Sequence, residues 1–253
     1  MRIRLFEANG RRILSIASVY MPSRLAIVPA RGGSKRIPDK NIREFFGRPM
    51  IAHILDAARA SNLFGVIHVS TDSTRVSDAV TKAGFAPHFP RPDNLADDHT
   101  PLMPVLRYVT ERFLEGGDRF DEIWLLMACS PLIDAEDLRD ASKLFAAGGG
   151  KHPVISVTSY PAPIEWAFSR DAGGRLTALQ PGMFSKRSQD LEKRYYDTGS
   201  FCIFPTENVL QSAGAGDDSG FIGYLLPPDK AIDIDTEDDW RLAEIAFQLR
   251  GTQ

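Results

Sequence analysis

The chain has 253 residues, of which 43% are hydrophobic and 25% charged, which is enough apolar material for the core of one α/β domain. Its formal net charge of -3 disfavours general nucleic-acid binding, because that function needs a basic surface. Cys129 and Cys202 are too few for a disulfide framework or a zinc site and favour a reducing, cytoplasmic environment, and no run of about 20 apolar residues predicts a membrane span.

Residues 1–22 are predicted to be an N-terminal extension, either disordered or upstream of a true start near Met21. They are basic, but their apolar run over residues 13–20 is short and broken by serines, unlike a secretory signal. A mitochondrial-type presequence is an open alternative. Residues 23–253 are predicted to form a single domain.

Residues 25–41 carry the most informative pattern. An apolar run over residues 25–28 is typical of a buried strand, and Pro29 ends it. Two glycines and four cations follow, of which we expect Lys35 and Arg36 to be rim charges. Glycine lets backbone N–H groups approach an anion, so the stretch predicts a site for a polyanion such as a nucleoside triphosphate. P-loop and dinucleotide motifs are absent, and a solvated basic turn is the open alternative.

Strands and helices are predicted to alternate over the rest of the first 150 residues, which indicates a mostly parallel sheet with helices on both faces. Ligands gather where such strands end, so the basic loop, residues 70–72 and residues 129–131 are expected to share one crevice. The predicted elements are helix 49–61, strand 65–70, helix 75–83, a brief strand 86–89, a helix from residue 102, strand 122–128 and helix 134–146.

The pattern changes after a strand at residues 154–158. Residues 160–186 are irregular, rich in Pro and Gly, and contain scattered large apolar side chains. They predict an excursion from the sheet that packs against a second subunit, because a monomer rarely leaves such a patch bare. Folding back on its own chain is the alternative.

The C-terminal part is predicted to return to the sheet. The predicted elements are strand 201–204, helix 206–212, a flexible loop 214–220 without chemistry, strands 222–226 and 231–235, and a last helix that buries Leu242, Ile245, Ala246 and Leu249.

Residues 232–235 alternate apolar and acidic side chains. On a strand, Asp233 and Asp235 would share one face. Two carboxylates on one face repel each other unless a cation lies between them, and Mg²⁺ binds one or two carboxylates together with phosphate oxygens. The pair predicts a site for Mg²⁺, with Mn²⁺ as a substitute; two solvated acids on an edge strand are the alternative.

Four blocks in this order resemble the CMP-sialic acid synthetase family, the cytidylyltransferases of acidic nine-carbon sugars. They are residues 26–41, 91–98 (RPDNLADD), 187–199 (RSQDLEKRYYDTG) and 233–240 (DIDTEDDW). The third block is similar to the pseudaminic acid branch. Neuraminic acid enzymes more often have Asn where this chain has Thr198, and a sugar-contacting Gln where it has Met127.

The resemblance implies a three-layer α/β/α Rossmann-like sandwich of the nucleotide-diphospho-sugar transferase fold, with a mostly parallel mixed sheet. It implies the reaction of CTP and pseudaminic acid to CMP-pseudaminic acid and pyrophosphate, in a cytoplasmic homodimer that serves flagellin glycosylation or cell-surface polysaccharide synthesis. The alternatives are N-acetylneuraminate, legionaminate or Kdo as the sugar, and a non-catalytic nucleotide-binding protein.

The resemblance also implies a role for each matching residue. Catalysis is assigned to Arg31, Lys40, Asp233 and Asp235. Nucleotide binding is assigned to Ala30, Arg31, Gly32, Gly33, Ser34, Lys40, Asn41, Asp72 and Arg91. Sugar binding is assigned to Arg187, Gln189, Asp190 and Tyr195, and metal binding to Asp233 and Asp235.

Overall fold

The computed structural model describes residues 3–8, 11–16, 22–34, 36–97, 99–212 and 219–251. Lys35, most of the predicted loop 214–220 and part of the predicted extension lie outside these ranges. The boundary of the domain at residue 22 stays a prediction. Within the ranges, no helix is long and apolar enough to cross a membrane.

From residue 24 to residue 147 the elements follow the predicted strand–helix order, except for the short strands β4 and β5, which were not predicted, and a predicted strand at residues 86–89, which is absent. The strands are β1 (Ile3–Ala8), β2 (Arg11–Ile16), β3 (Arg24–Pro29), β4 (Glu44–Phe45), β5 (Arg48–Pro49), β6 (Val66–Ser70), β7 (Glu122–Leu126), β8 (Val154–Ser159), β9 (Phe168–Arg170), β10 (Leu176–Ala178), β11 (Tyr195–Pro205) and β12 (Ile222–Leu225). The α-helices are α1 (Met50–Ser61), α2 (Thr74–Lys82), α3 (Leu102–Glu115), α4 (Ala135–Ala147), α5 (Thr206–Gln211) and α6 (Glu237–Gly251).

Six strands form the main sheet, in the order β12-β8-β11-β7-β3-β6. β3 runs parallel to β6 and β7, and β12 runs parallel to β8. β11 is antiparallel to both of its neighbours, β7 and β8. Consequently β3, β6, β7 and β8 all end at the same edge of the sheet. β1 and β2 form a separate antiparallel hairpin.

Alternate residues of β3 face opposite helical layers. Ala26 and Val28 pack with α1, α2 and α4, whereas Leu25 and Ile27 pack with α3 and α5. All four side chains are fully buried, because a parallel strand inside the sheet is covered on both faces. The predicted three-layer α/β/α sandwich is thereby confirmed.

The predicted brief strand at residues 86–89 is wrong. Pro87 has no N–H to donate to a ladder, and the His88 N–H donates to Nδ1 of His68 at 3.4 Å. The segment instead packs the Phe89 ring on the His68 ring, with centroids 4.3 Å apart.

The predicted strand at residues 231–235 is also wrong, because side chains satisfy its backbone groups. Nζ of Lys40 donates to Ile234 O, and the Asp235 N–H donates to Oδ2 of Asp239 at 3.2 Å. The alternation of exposure persists without a ladder, since Ile234 is buried while Asp233 is exposed.

Helix α6 buries a different face from the predicted one. Trp240 and Phe247 pack their rings edge-on against Phe45, because an aromatic side chain removes more apolar area from water than leucine does. Ala246 is buried, but more than half of each other predicted side chain is exposed, namely Leu242, Ile245 and Leu249.

His68, on β6, is an ionisable side chain in an aromatic environment. It is fully buried, and its ring lies 5.6 Å from that of Phe113. Burial lowers the pKa of His68 from 6.5 to about 3, with smaller contributions from the charges of His88 and Arg91.

Acid should therefore destabilise the fold through His68. Because its pKa is lowered on folding, the stability it contributes is fully present above pH 6.5 and lost as the pH falls toward about 3. His68→Asn keeps an acceptor for the His88 N–H and should flatten the fall in the free energy of unfolding, measured by urea denaturation across this window. The exposed His152 provides the control His152→Asn, which should follow the parent profile. If both variants follow the parent, His68 is not the acid-sensitive group.

Candidate active site

A cavity of about 600 Å³ opens at the sheet edge where β3, β6 and β7 end. Its size is typical of small-ligand pockets. Several predicted site residues line it, namely Arg31, Ser34, Lys40, Asn41, Arg91, Asp233 and Asp235. The basic loop after β3 and the acidic segment before α6, almost 200 positions apart, therefore meet in one place.

Backbone N–H groups of the loop after β3 bond to residues 70–72 and hold the loop in place. The Ala30 N–H donates to Ser70 O at 2.9 Å, and the Gly32 N–H donates to Oδ1 of Asp72 at 3.3 Å. A Cβ at Gly32 would lie 2.8 Å from Cβ of Ser73, so this position needs glycine. Ala30 and Asp72 thus order the loop, whereas Gly33 has open space around its Cα.

Arg91 provides a buried positive charge in the cavity wall. Its guanidinium donates to Ser70 O at 2.6 Å and to Ser70 Oγ at 3.1 Å. Burial lowers the pKa of Arg91. An arginine nevertheless remains charged in proteins. It donates to the neutral acceptors of Ser70 and is attracted by the nearby Asp72 carboxylate, so Asp72 offsets part of the charge that Arg91 presents to an anionic ligand.

Asp235 is neutralised by two cations. Its Oδ1 lies 3.2 Å from Nζ of Lys40, and its Oδ2 lies 2.9 Å from Arg36. The Lys40 side chain is 18% exposed and that of Arg36 is 67% exposed. Solvent screens the Arg36 contact more strongly, so Lys40 is the more important partner.

Asp233 faces the cavity beside Gly199. Desolvation by the surrounding protein atoms and the nearby Asp235 carboxylate raise the pKa of Asp233. No group of three His, Cys, Asp or Glu side chains suited to a metal occurs among the described residues. Two carboxylates nevertheless fit an ion such as Mg²⁺, which completes its coordination with phosphate oxygens and water.

Asn41 connects the loop after β3 with the segment after β7, which both line the cavity. Its Nδ2 donates to Arg31 O at 3.0 Å, and its Oδ1 accepts from the Cys129 thiol at 3.2 Å. Burial raises the pKa of Cys129 to about 12, which keeps the thiol protonated as a donor. Cys129 was predicted only as part of the crevice; its hydrogen bond to Asn41 could not be inferred from spacing.

The sugar-binding residues suggested by the resemblance do not line this cavity. Arg187, Gln189, Asp190 and Tyr195 are all exposed, and Arg187 pairs with the two carboxylate oxygens of Asp190 at 2.8 and 3.0 Å. They lie between β10 and the start of β11. Their role stays a prediction.

The cavity also has lining residues that the sequence analysis did not assign. Those between residues 95 and 105 surround the start of α3, and the signal that could have found them is their position in, or directly after, the RPDNLADD block. Asp97 forms the turn there, accepting the His99 and Thr100 N–H groups at 2.7 Å each. Met127 and Ala128 instead follow β7, and Gly199 lies in β11. The unassigned residues are Leu95, Asp97, Thr100, Leu102, Val105, Met127, Ala128 and Gly199.

Comparisons with known proteins agree with this geometry. The sequence profile of the family described as cytidylyltransferase matches residues 25–146. Over 225 residues the chain is 30% identical to a pseudaminic acid cytidylyltransferase of Campylobacter jejuni, covering 89% of this chain and 96% of that protein. The chain belongs to the cytidylyltransferase family.

This cytidylyltransferase is also similar to proteins whose names refer to related acidic sugars. It is 32% identical over 231 residues to a CMP-N,N'-diacetyllegionaminic acid synthase of Legionella pneumophila, covering 89% of this chain and 96% of that protein. A structure of CMP:2-keto-3-deoxy-manno-octonic acid synthetase complexed with CTP superposes with a TM-score of 0.65 at 16% identity, covering 90% and 99% of the two chains. The predicted fold and enzyme class are confirmed.

A substitution at Gly199 tests how strongly the activity of this cytidylyltransferase depends on the position of Asp233. Gly199 has φ of +61°, and a Cβ there would lie 3.3 Å from Cγ of Asp233. On the prediction that Asp233 is catalytic, Gly199→Ala should lower kcat/KM on the order of 10- to 100-fold, because small displacements of catalytic groups have large effects.

The matched control is Gly149→Ala. Gly149 also has a positive φ, +76°, but has open space for a Cβ. It should show the backbone cost in a lower midpoint of thermal unfolding without the kinetic loss. Equal kcat/KM losses in the two variants would show that the collision with Asp233 is irrelevant.

Proposed function

We propose that this cytidylyltransferase converts CTP and pseudaminic acid to CMP-pseudaminic acid and pyrophosphate. The observation that carries the proposal is the charge arrangement of the cavity. Arg31, Lys40 and Arg91 supply positive charge, and Asp233 and Asp235 lie together beside them. Similarity to a pseudaminic acid cytidylyltransferase over 89% of the chain supports the choice of sugar.

The chemistry requires positioning and charge neutralisation. The anomeric hydroxyl oxygen of the sugar attacks the α-phosphorus of CTP, a new P–O bond forms, the bond to the leaving pyrophosphate breaks, and the hydroxyl proton passes to water. Negative charge accumulates on the phosphate oxygens in such a reaction. Arg31, Lys40 and Arg91 would hold these oxygens, and preorganised cations in a partly dry cavity are effective at this task. Ser34 and Asn41 would complete the nucleotide site.

Asp233 and Asp235 would hold a divalent cation, for which we propose Mg²⁺ with Mn²⁺ as a substitute. When bound, the ion would neutralise and orient phosphate oxygens. Lys40 and Arg36 pair with Asp235. This pairing limits the repulsion between the two carboxylates and keeps the acidic segment in place.

The sugar site is proposed to form between two copies of the chain. Large side chains are exposed over residues 160–195, with Leu179 and Phe184 exposed by 63% and 64%. Within the same segment, Nε1 of Trp166 and Oε2 of Glu165 are buried without a hydrogen-bond partner among the described residues. A twofold dimer would cover this surface and could bring the four sugar-binding candidates to the partner's cavity.

The substrate is tested by measuring pyrophosphate release with CTP and a panel of sugars. Pseudaminic acid should give the highest kcat/KM, by about tenfold or more over N,N'-diacetyllegionaminic acid, N-acetylneuraminic acid and Kdo. A higher value for another sugar would replace the proposed substrate but keep the enzyme class.

Activity should vanish with EDTA and return with Mg²⁺; activity that persists in EDTA would contradict the metal site.

The dimer is tested with Leu179→Glu, because Leu179 is exposed and its substitution does not disturb the core. The variant should sediment as a monomer at micromolar concentration and lose affinity for the sugar more than for CTP. Leu242→Glu on α6, where the side chain is 55% exposed, is the control and should remain a dimer. A parent protein that is monomeric and fully active would rule out the two-chain site.

A further inference from the structure

Lys230 is a buried cation outside the cavity. Its side chain is 8% exposed, and its Nζ lies 2.6 Å from Oδ2 of Asp134 and 2.5 Å from Oδ2 of Asp137. A buried charge is costly unless it is paired. The two carboxylates satisfy this requirement and hold the ammonium group of Lys230 in one position.

The carboxylates that bind Lys230 belong to the start of α4. Asp134 accepts the Asp137 N–H, and Asp137 accepts the Asp134 N–H, as a capping box. The preceding connection from β7 contains Met127 and Cys129, which line the cavity. Lys230 therefore attaches its own segment to the wall that carries Cys129.

The segment after Lys230 carries the acid pair and has no strand ladder to hold it. Within this segment, Ala231 and Ile232 pack against core clusters, and the Ala231 N–H donates to Pro228 O at 3.3 Å. Its polar contacts to more distant residues, such as the Lys40 bond to Ile234 O and the Asp235 N–H bond to Asp239, lie at or after residue 234. Lys230 is the buried charged contact on the N-terminal side of Asp233.

We propose that Lys230 is a positioning residue for Asp233 and Asp235, which it holds at a fixed distance from the β7–α4 wall. It acts through the segment 230–235 and does not touch substrate. The inference rests on the proposed function, in which the acid pair binds a divalent cation. Residues that orient metal ligands from outside typically change metal affinity by 10- to 100-fold when replaced.

The test measures Mn²⁺ binding to the full chain by electron paramagnetic resonance of free Mn²⁺, in the presence of CTP without sugar, after subtraction of the Mn²⁺ that CTP binds in a titration without protein. Lys230→Met should weaken Mn²⁺ binding about tenfold or more, while CTP binding measured in EDTA changes less than about twofold. Lys230→Arg keeps the charge and should restore most of the Mn²⁺ affinity. Lys143→Met removes an exposed lysine that pairs with Asp140 on α4 and should match the parent.

A second variant keeps the inference testable if Lys230→Met does not fold. Asp137→Asn leaves Lys230 paired with Asp134 but removes one of its two charged partners, and should weaken Mn²⁺ binding by an intermediate factor. Mn²⁺ affinity equal to the parent in a folded Lys230→Met or Asp137→Asn variant would overturn the positioning role. Absence of Mn²⁺ binding by the parent itself would instead overturn the proposed metal site.

Discussion

The contact of Lys40 with residues 234–235 is the interaction on which the rest of the site depends. One ammonium group serves the Ile234 carbonyl and the Asp235 carboxylate and so joins the basic loop to the acidic segment. Because Lys40 is mostly shielded from solvent, salt screens this contact less than a surface pair. This contact therefore places the proposed phosphate and metal sites beside each other.

The sequence allowed the order of elements and both charged segments to be predicted, because each depends on a local pattern. The apolar run at residues 25–28 has the length and composition of a buried strand, and it is one. Residues 231–235 show the limit of the same reasoning. Alternating exposure arises equally in an extended segment without a neighbouring strand, so the pattern agrees with the burial of Ile234 although the predicted strand is absent. α6 has two apolar stripes, and only the packing of Phe45 decides between them.

Contacts between distant segments could not be predicted. Thr198, a marker of sugar class by resemblance, is buried, and its hydroxyl donates to Ser156 Oγ at 2.8 Å. The register of β11 against β8 shifts between Asp197 and Cys202, and there the Phe201 N–H donates to Ser156 Oγ at 3.1 Å. Hydroxyl groups thus replace ladder bonds where β11 bends toward the cavity. A single amino-acid sequence contains no local pattern that predicts such contacts between distant segments.

The reversed direction of β11 has a consequence for how substrate preference can diverge. β8 ends and β11 begins at the edge of the sheet where the cavity opens, since Ser159 pairs with Tyr195 there. The whole intervening segment leaves and rejoins the fold beside the cavity. Its length and side chains can therefore change during evolution while the sheet, both helical layers and the nucleotide side of the site keep their packing. With the proposed sugar site in this segment, new acceptor sugars would become accessible through insertions and substitutions that place little strain on the core.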